Sequence, residues 1–462
     1  MRQYVNNNIE RFILLSDKLK IVVESVLSRF HISKDVQNNF YLSFPLLIAS
    51  LIVGIVAVGY AKIFMFVEHS GIELFSSHPL LFLIITPSCF LISWLLVRVF
   101  APFANGSGIP QIIAALELTD SSLKDKISIF VSFRIVVIKI LSSLVLVFGG
   151  GAIGREGPTI QIAGSIFRSI GKYIPTQWPK TSERIMILTG SAAGLAAAFN
   201  TPLGGIVFAI EELSKSHFNT FRTSLLTAVI VAGMIAQMIL GPYLYLGYPR
   251  VSNPVISMIG MVVITAIIVG LAGSFFSKCI LWIIQFRRSL KSLPSQVLFI
   301  VGLSLLLFAS AFFLSPIVLG SGKDIMITML FGNEPIQSFI SVFSRFFGPL
   351  VSFTSGGAGG IFAPALSSGA TLGALISTYF QLTPEQGNII ILVGMVSFLT
   401  SVTRSPFTSS ILVLEMTDRH SLIFFLMLAG LLSYITAWLI DKTSLYEHLK
   451  EGYLKEIEHS SL

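Results

Sequence analysis

The chain has 462 residues, 53% of them hydrophobic and 12% charged, with a formal net charge of +8 and two cysteines. A mean hydropathy of +0.83 excludes an ordinary soluble domain, and so few cysteines exclude a disulfide framework. No basic stripe with interleaved aromatics accompanies the positive charge, which therefore reads as the loops of a membrane protein and not as a nucleic-acid surface.

Residues 1–43 carry Arg11, Asp17, Lys18, Lys20, Glu24 and Arg29, which break up any signal-peptide apolar run. Ile9, Phe12, Ile13, Leu19, Val22, Val23, Val26 and Phe30 recur opposite those charges at helical spacing. They predict an amphipathic cytoplasmic segment, read as a surface helix in preference to a lipid sensor. Apolar stretches near the ~20 residues needed to cross a bilayer follow: Phe44 to Phe66, Pro79 to Ala101, Ile127 to Phe148, Ile185 to Ile210, Thr223 to Leu246, Pro254 to Leu281, Gln296 to Leu319, Asn388 to Leu414 and Ser421 to Ile440. They lack the period-two alternation of barrel strands, so helices are expected.

The basic turns at Arg287, Arg288 and Lys291, and at Lys215 and Arg222, mark the cytoplasmic side. Cys89 and Cys279 fall in apolar segments as packing residues, and the seven histidines show neither HxxxH nor HExxH spacing, so no metal site is expected. The tail after Ile440 is too short for a folded regulatory domain.

The chain repeats itself. LTGSAAGLAAAFNTPLGGIVFAIEE, from Leu188, aligns with LVGMVSFLTSVTRSPFTSSILVLEM, from Leu392, pairing Gly190 with Gly394, Pro202 with Pro406 and Glu211 with Glu415. GGAIGREGP, from Gly150, aligns with GGAGGIFAP, from Gly356, so that Pro158 meets Pro364 and Glu156 meets Phe362. GSG occurs at Gly106 and again at Gly320. Matches in nearly constant register predict a duplicated transporter, with repeats over 44–246 and 247–446 and a short cytoplasmic tail over 447–462.

In such folds broken helices aim their N-termini at a substrate site between the repeats. GSGIPQ (Gly106 to Gln111), GREGPTIQ (Gly154 to Gln161) and GGIFAP (Gly359 to Pro364) each set glycine before a proline that a first helical turn accepts. Each presents unpaired N–H groups and a positive dipole end, which together bind an anion with backbone alone. A tight turn or a close helix crossing would explain any one of them. Three together favour the anion site.

GSGIP, GREGP and GGIFAP, in this order and spacing, resemble the signatures of the CLC chloride channels and proton-coupled chloride transporters of prokaryotic type, from about Phe44 to Tyr446. The resemblance implies an all-α polytopic membrane protein with a CLC-type inverted repeat, whose broken helices meet at a central anion site. It implies a homodimer in the cell (inner) membrane, each subunit with its own pathway and both termini cytoplasmic. No cofactor is implied; the ions are chloride and protons. Ser107, Ile361, Phe362 and Tyr446 are the implied chloride ligands, through a hydroxyl, two backbone amides and a phenol. Neutral donors suit a halide, which offers no second atom for a bidentate clamp and must leave again. Position alone makes Tyr446 an interfacial tyrosine; only the resemblance makes it a ligand.

Acidic residues inside a membrane domain are functional candidates. Glu156, at a helix mouth that attracts anions, is a tethered anion that competes with chloride when ionised and swings clear when protonated; in the family it is the external gate. Arg155 raises the local potential or holds the loop. Glu212 ends a charge-free run near basic residues and by position is a polar span end; the family resemblance makes it the internal proton donor and favours an antiporter over a passive channel. Glu211 and Glu415 read as structural, bonded to nearby backbone. Gln111 departs from the GSGIPE common in the family and removes a carboxylate near the site. Ser107 argues against nitrate preference, since nitrate-preferring relatives carry proline there. The remaining alternatives are a passive channel of the same family and a membrane-embedded enzyme. The second lacks GxSG, intramembrane histidine and HExxH, and Gly322-Lys323 fails as a phosphate loop because Ile317 and Asp324 stand where glycine and Ser or Thr belong.

Overall fold

The computed structural model describes residues 34–174, 178–179, 181–213, 222–241, 244–252, 256–332 and 339–459. The amphipathic pattern expected between Ile9 and Phe30, and the turn at Lys215, lie outside the described residues. Among the described residues the regular structure is helical: α1 Lys34–Ser77, α2 Phe82–Phe100, α3 Ile109–Leu118, α4 Phe133–Phe148, α5 Glu156–Lys172, α6 Glu183–Phe199, α7 Pro202–Phe208, α8 Arg222–Leu240, α9 Ile259–Ser289, α10 Leu293–Phe313, α11 Lys323–Phe331, α12 Phe339–Thr354, α13 Phe362–Tyr379, α14 Pro384–Thr403, α15 Pro406–Thr417, α16 Ile423–Ile440 and α17 Leu445–His459. Seven helical stretches are long and apolar enough to cross a membrane. Phe66, Ile84, Met238, Trp282 and Phe424 are exposed on outer faces, where lipid and not water is the fitting solvent. The protein is a multi-span membrane protein.

Two stretches that read as single spans are each broken. The span expected over Ile185 to Ile210 stops at Asn200 (φ 58°), and Pro202 opens α7; the span over Asn388 to Leu414 stops at Arg404 (φ 65°), and Pro406 opens α15. The residue before each proline, Thr201 (φ −128°, ψ 84°) or Ser405 (φ −118°, ψ 79°), is forced out of the helical region by the ring that follows. A left-handed cap one residue earlier ends the incoming helix.

The halves meet reciprocally, as a two-fold axis requires. Glu415 accepts from the backbone N–H groups of Leu203 and Gly204 at 3.1 and 2.7 Å, while Glu211 accepts from those of Phe407 and Thr408 at 3.1 and 2.7 Å. Both acids are structural, as expected, but each caps the half-helix of the opposite repeat. The GSG loops behave alike. Gly106 N–H donates to Gly357 O (2.8 Å), and Gly320 N–H donates to Gly150 O (3.4 Å). The core of the domain is the packing of α5 on α6 in one half and α13 on α14 in the other.

The stretch following Tyr446 is a packed helix and not a free tail. Tyr446, Leu449, Tyr453 and Ile457 are buried along one face of α17, the i, i+3, i+7, i+11 stripe of an amphipathic helix. Lys450 ties it to α3 through Glu117 at 2.9 Å.

Candidate ion-binding site

Glycine allows the three motif loops to interlock. Gly106 and Gly108 take φ of 55° and 102°, values open to glycine at little cost. Gly154 N–H donates to Gly360 O at 2.8 Å and Gly360 N–H returns to Gly154 O at 2.7 Å, while Gly359 N–H donates to Gly106 O at 3.0 Å. A Cβ at Gly157 would overlap the Ser107 hydroxyl. GSGIPQ, GREGPTIQ and GGIFAP are therefore one knot, from which α3, α5 and α13 depart with their N-termini converging.

Ser107, Glu156, Ile361, Phe362 and Tyr446 are all within 2% of full burial in this knot. The Ser107 and Tyr446 hydroxyls are buried beside each other and find no other hydrogen-bond partner among the described residues. Burial pushes the Tyr446 phenol far above its ordinary range, so it is held as a proton-bearing donor. The N–H groups of Ile361 and Phe362, at the start of α13, find no acceptor among the described residues. The Phe362 ring stacks on Tyr446 with centroids 6.3 Å apart and planes 22° from parallel, and Phe199 and Phe208 close its other sides.

Glu156 is the first residue of α5. One carboxylate oxygen accepts from the Tyr245 hydroxyl at 3.1 Å, and the other has no partner among the described residues. Burial, and next the Glu156 charge, push the Tyr245 phenol well upward, so Tyr245 is a donor. Arg155 holds the loop, one of the two roles expected of it: one guanidinium nitrogen donates to Ala61 O at 2.8 Å on α1, while Nε and Nη2 find no partner among the described residues. Glu212 lies in a π-helical turn, Ala209–Leu213, largely buried, and accepts from the Ser405 hydroxyl at 2.6 Å.

Gln111 has a local reason to be an amide. Its Nε2 donates to Asn105 O (2.7 Å) and to the Tyr453 hydroxyl (3.3 Å), and Tyr453 donates to Asn105 Oδ1 at 2.8 Å. An ionised glutamate could not donate to that carbonyl. Two cations went unread in the sequence. Lys139 Nζ donates to the carbonyls of Ala104, Asn105 and Gly106 at 2.8–3.2 Å. Arg345 Nη1, in the matching place of the second half, donates to those of Ile317, Leu319 and Gly320 at 3.1–3.2 Å. Each gathers the carbonyls of the segment that leads into a GSG loop and so fixes the loop's backbone. The signal was available: Lys139 interrupts the middle of an apolar run whose other charge, Arg134, stands at the start of the helix.

Residues 89–438 match the voltage-gated chloride channel family. Among solved structures, the fold is similar to a slow cyanobacterial Cl⁻/H⁺ antiporter, with TM-score 0.79 and 25% identity over 89% of this chain and 98% of that one. It is also similar to a CLC-type fluoride/proton antiporter (TM-score 0.74, 20% identity, 90% and 98% covered) and to a eukaryotic CLC transporter (0.71, 19%, 88% and 74%). The matched region contains Ser107, Glu156, Glu212, Ile361 and Phe362 and ends before Tyr446, and with all three interlocked loops inside it the chain belongs to the CLC family of voltage-gated chloride channels.

Proposed function

We propose that this protein carries chloride across a membrane in exchange for protons. The observation that supports the reading is the coincidence, in one knot, of two buried hydroxyls with no partner but each other among the described residues (Ser107, Tyr446), two helix-start amides with no acceptor there (Ile361, Phe362) and a buried carboxylate, Glu156. An unsatisfied buried donor costs about 1–3 kcal/mol, and one small anion answers all four. Neutral donors compensate its lost water without a fixed countercharge, so it can leave. Lys139 and Arg345 hold the two GSG loops in shape from one layer back, through the carbonyls they gather.

Glu156 supplies the coupling. Ionised, it is itself an anion at the N-terminus of α5, with Tyr245 holding it in place; protonated, it loses the attraction of the helix end and yields to chloride. Glu212 is the second station, a buried acid that passes protons from the cytoplasmic side toward the knot. Membership of the CLC family supports reading the chain as a transporter and not an enzyme. The similarity to a Cl⁻/H⁺ antiporter favours exchange over passive flow. Arg288 lies over the Tyr453 ring at 6.0 Å, so α17 packs on the basic end of α9; with positive loops inside, the C-terminus is cytoplasmic. The homodimer and the cell (inner) membrane follow from the family resemblance, and cross-linking in native membranes tests the dimer. The transport reading is tested in liposomes with chloride and proton electrodes read together. Protons driven uphill by a chloride gradient are expected; chloride flux with no proton movement refutes exchange and leaves a passive channel.

A further inference from the structure

A cavity of about 480 Å³ opens beside the first GSG loop, with Trp94, Arg98, Asn105, Arg287, Arg288 and Glu456 on its walls. Three guanidinium groups face one carboxylate there, and neither Arg287 nor Arg288 forms an ion pair with a described residue. Both arginines are seated on glycine: a Cβ at Gly356 would overlap Arg287 Nη1, and one at Gly452 would overlap Arg288 Nη1. Arg98 lies over the Trp94 ring, 4.9 Å from its centroid, and donates to Gln296 Oε1. Three guanidinium groups are thus held by the fold against the single carboxylate of Glu456, which leaves an excess of positive charge in the cavity.

The cavity is of ligand size and far too large to grip a single halide. Planar guanidinium forks match the oxygens of a phosphate, and three of them can spread around one. Arg98 lies in the last turn of α2, Arg287 and Arg288 in the last turn of α9, and Gln296 in the first turn of α10. All three helices are long and apolar enough to cross the membrane, so the cavity stands at one membrane face. Leu95, Val99 and Leu293 are exposed on the same helix ends.

We propose that this cavity binds a phosphate group, carried either by a lipid headgroup or by a soluble phosphate. Asn105 leads into the GSG loop and Gly452 belongs to the helix that carries Tyr446, so an occupant braces the two elements behind Ser107 and Tyr446.

The test uses the full chain and two variants. Arg98→Gln/Arg288→Gln removes two forks, and Gly452→Ala displaces Arg288 while keeping its charge; size-exclusion profile and thermal midpoint establish folding. Inorganic phosphate is titrated by calorimetry into detergent-purified protein, and phosphatidylglycerol retained through purification is counted by native mass spectrometry. Saturable phosphate binding, at least tenfold weaker in both variants, supports a soluble phosphate. Retention of phosphatidylglycerol by the wild type and its loss in both variants, without free phosphate binding, supports a headgroup. Absence of both, equal binding by wild type and folded variants, or displacement of phosphate by equimolar chloride overturns the proposal.

Discussion

Replacing Tyr446 by phenylalanine deletes one oxygen and leaves the ring stacked on Phe362. Among the described residues the hydroxyl of Ser107 is the one group beside it, so in chloride-free buffer the variant loses at most that one weak contact and sheds a poorly satisfied buried group, a net gain of up to about 1–3 kcal/mol. With chloride present the sign reverses. A hydrogen bond to a charged group contributes about 1.5–3 kcal/mol, so chloride affinity should fall by roughly 10- to 150-fold. Thermal unfolding across a chloride titration reads both effects, because a ligand at free concentration L that binds only the folded state stabilises it by RT ln(1 + L/Kd) and so raises the midpoint more the tighter it binds. The variant should start above wild type and gain less from chloride, and calorimetry should return the weaker constant directly. Equal chloride affinity in the two proteins would refute the ligand role and reduce Tyr446 to a packing residue.

Glu156→Gln mimics the protonated gate, so chloride flux should lose its pH dependence and proton movement should stop; persistent pH dependence would place the titrating group elsewhere. Glu212→Gln should also stop proton movement but keep pH-dependent chloride flux, since Glu156 still competes at the site; proton transport surviving in liposomes would remove Glu212 from the path. Tyr245→Phe withdraws the donor to ionised Glu156, destabilising the seated form, so the flux–pH profile should move upward by as much as about one to two pH units. An unmoved profile would show that Tyr245 does not hold the gate. Glu415→Gln leaves the first turn of α7 without one of its two acceptors. The thermal midpoint should fall as about 1–3 kcal/mol is lost, with chloride affinity retained; a full loss of binding at unchanged midpoint would make it a site residue.

The parts of this fold that were legible are those fixed locally. Gly106 and Gly108 announce left-handed backbone, Pro110 announces a helix start, and apolar length announces a span. The breaks at Asn200 and Arg404 were hidden because neither residue is glycine, and the apolar runs around them pass the length test for one helix; the prolines two residues later were the available sign. Tyr245 could not be found, since its role depends on an irregular segment folding back over α5 from 89 residues away. The packing of α17 was masked by its charges. Lys450 and Glu447 look like a solvated surface, whereas the buried stripe of Tyr446, Leu449, Tyr453 and Ile457 is read only once its phase is known.

The duplication separates architecture from chemistry. Where the two halves retain equivalent groups, those groups build: Glu211 and Glu415 cap opposite half-helices, and Lys139 and Arg345 each gather three carbonyls behind a GSG loop. Where one half lacks the partner, the group that remains has no architectural need. Glu156 stands opposite Phe362, and Glu212 stands opposite Met416. Ser405 gives its hydroxyl to Glu212, while the hydroxyl of its counterpart, Thr201, is buried without a partner. The second GSG loop makes the same point from the other side. Ser321 N–H donates to a carboxyl oxygen of Glu68 on α1, so that loop is answered by an acid side chain of the protein itself, whereas the Ser107 hydroxyl of the first meets no acid among the described residues. A duplicated cradle filled once by a tethered carboxylate and once left to its own unpaired donors is what a transporter needs: one copy anchors the scaffold, and the other takes an ion that must be free to go.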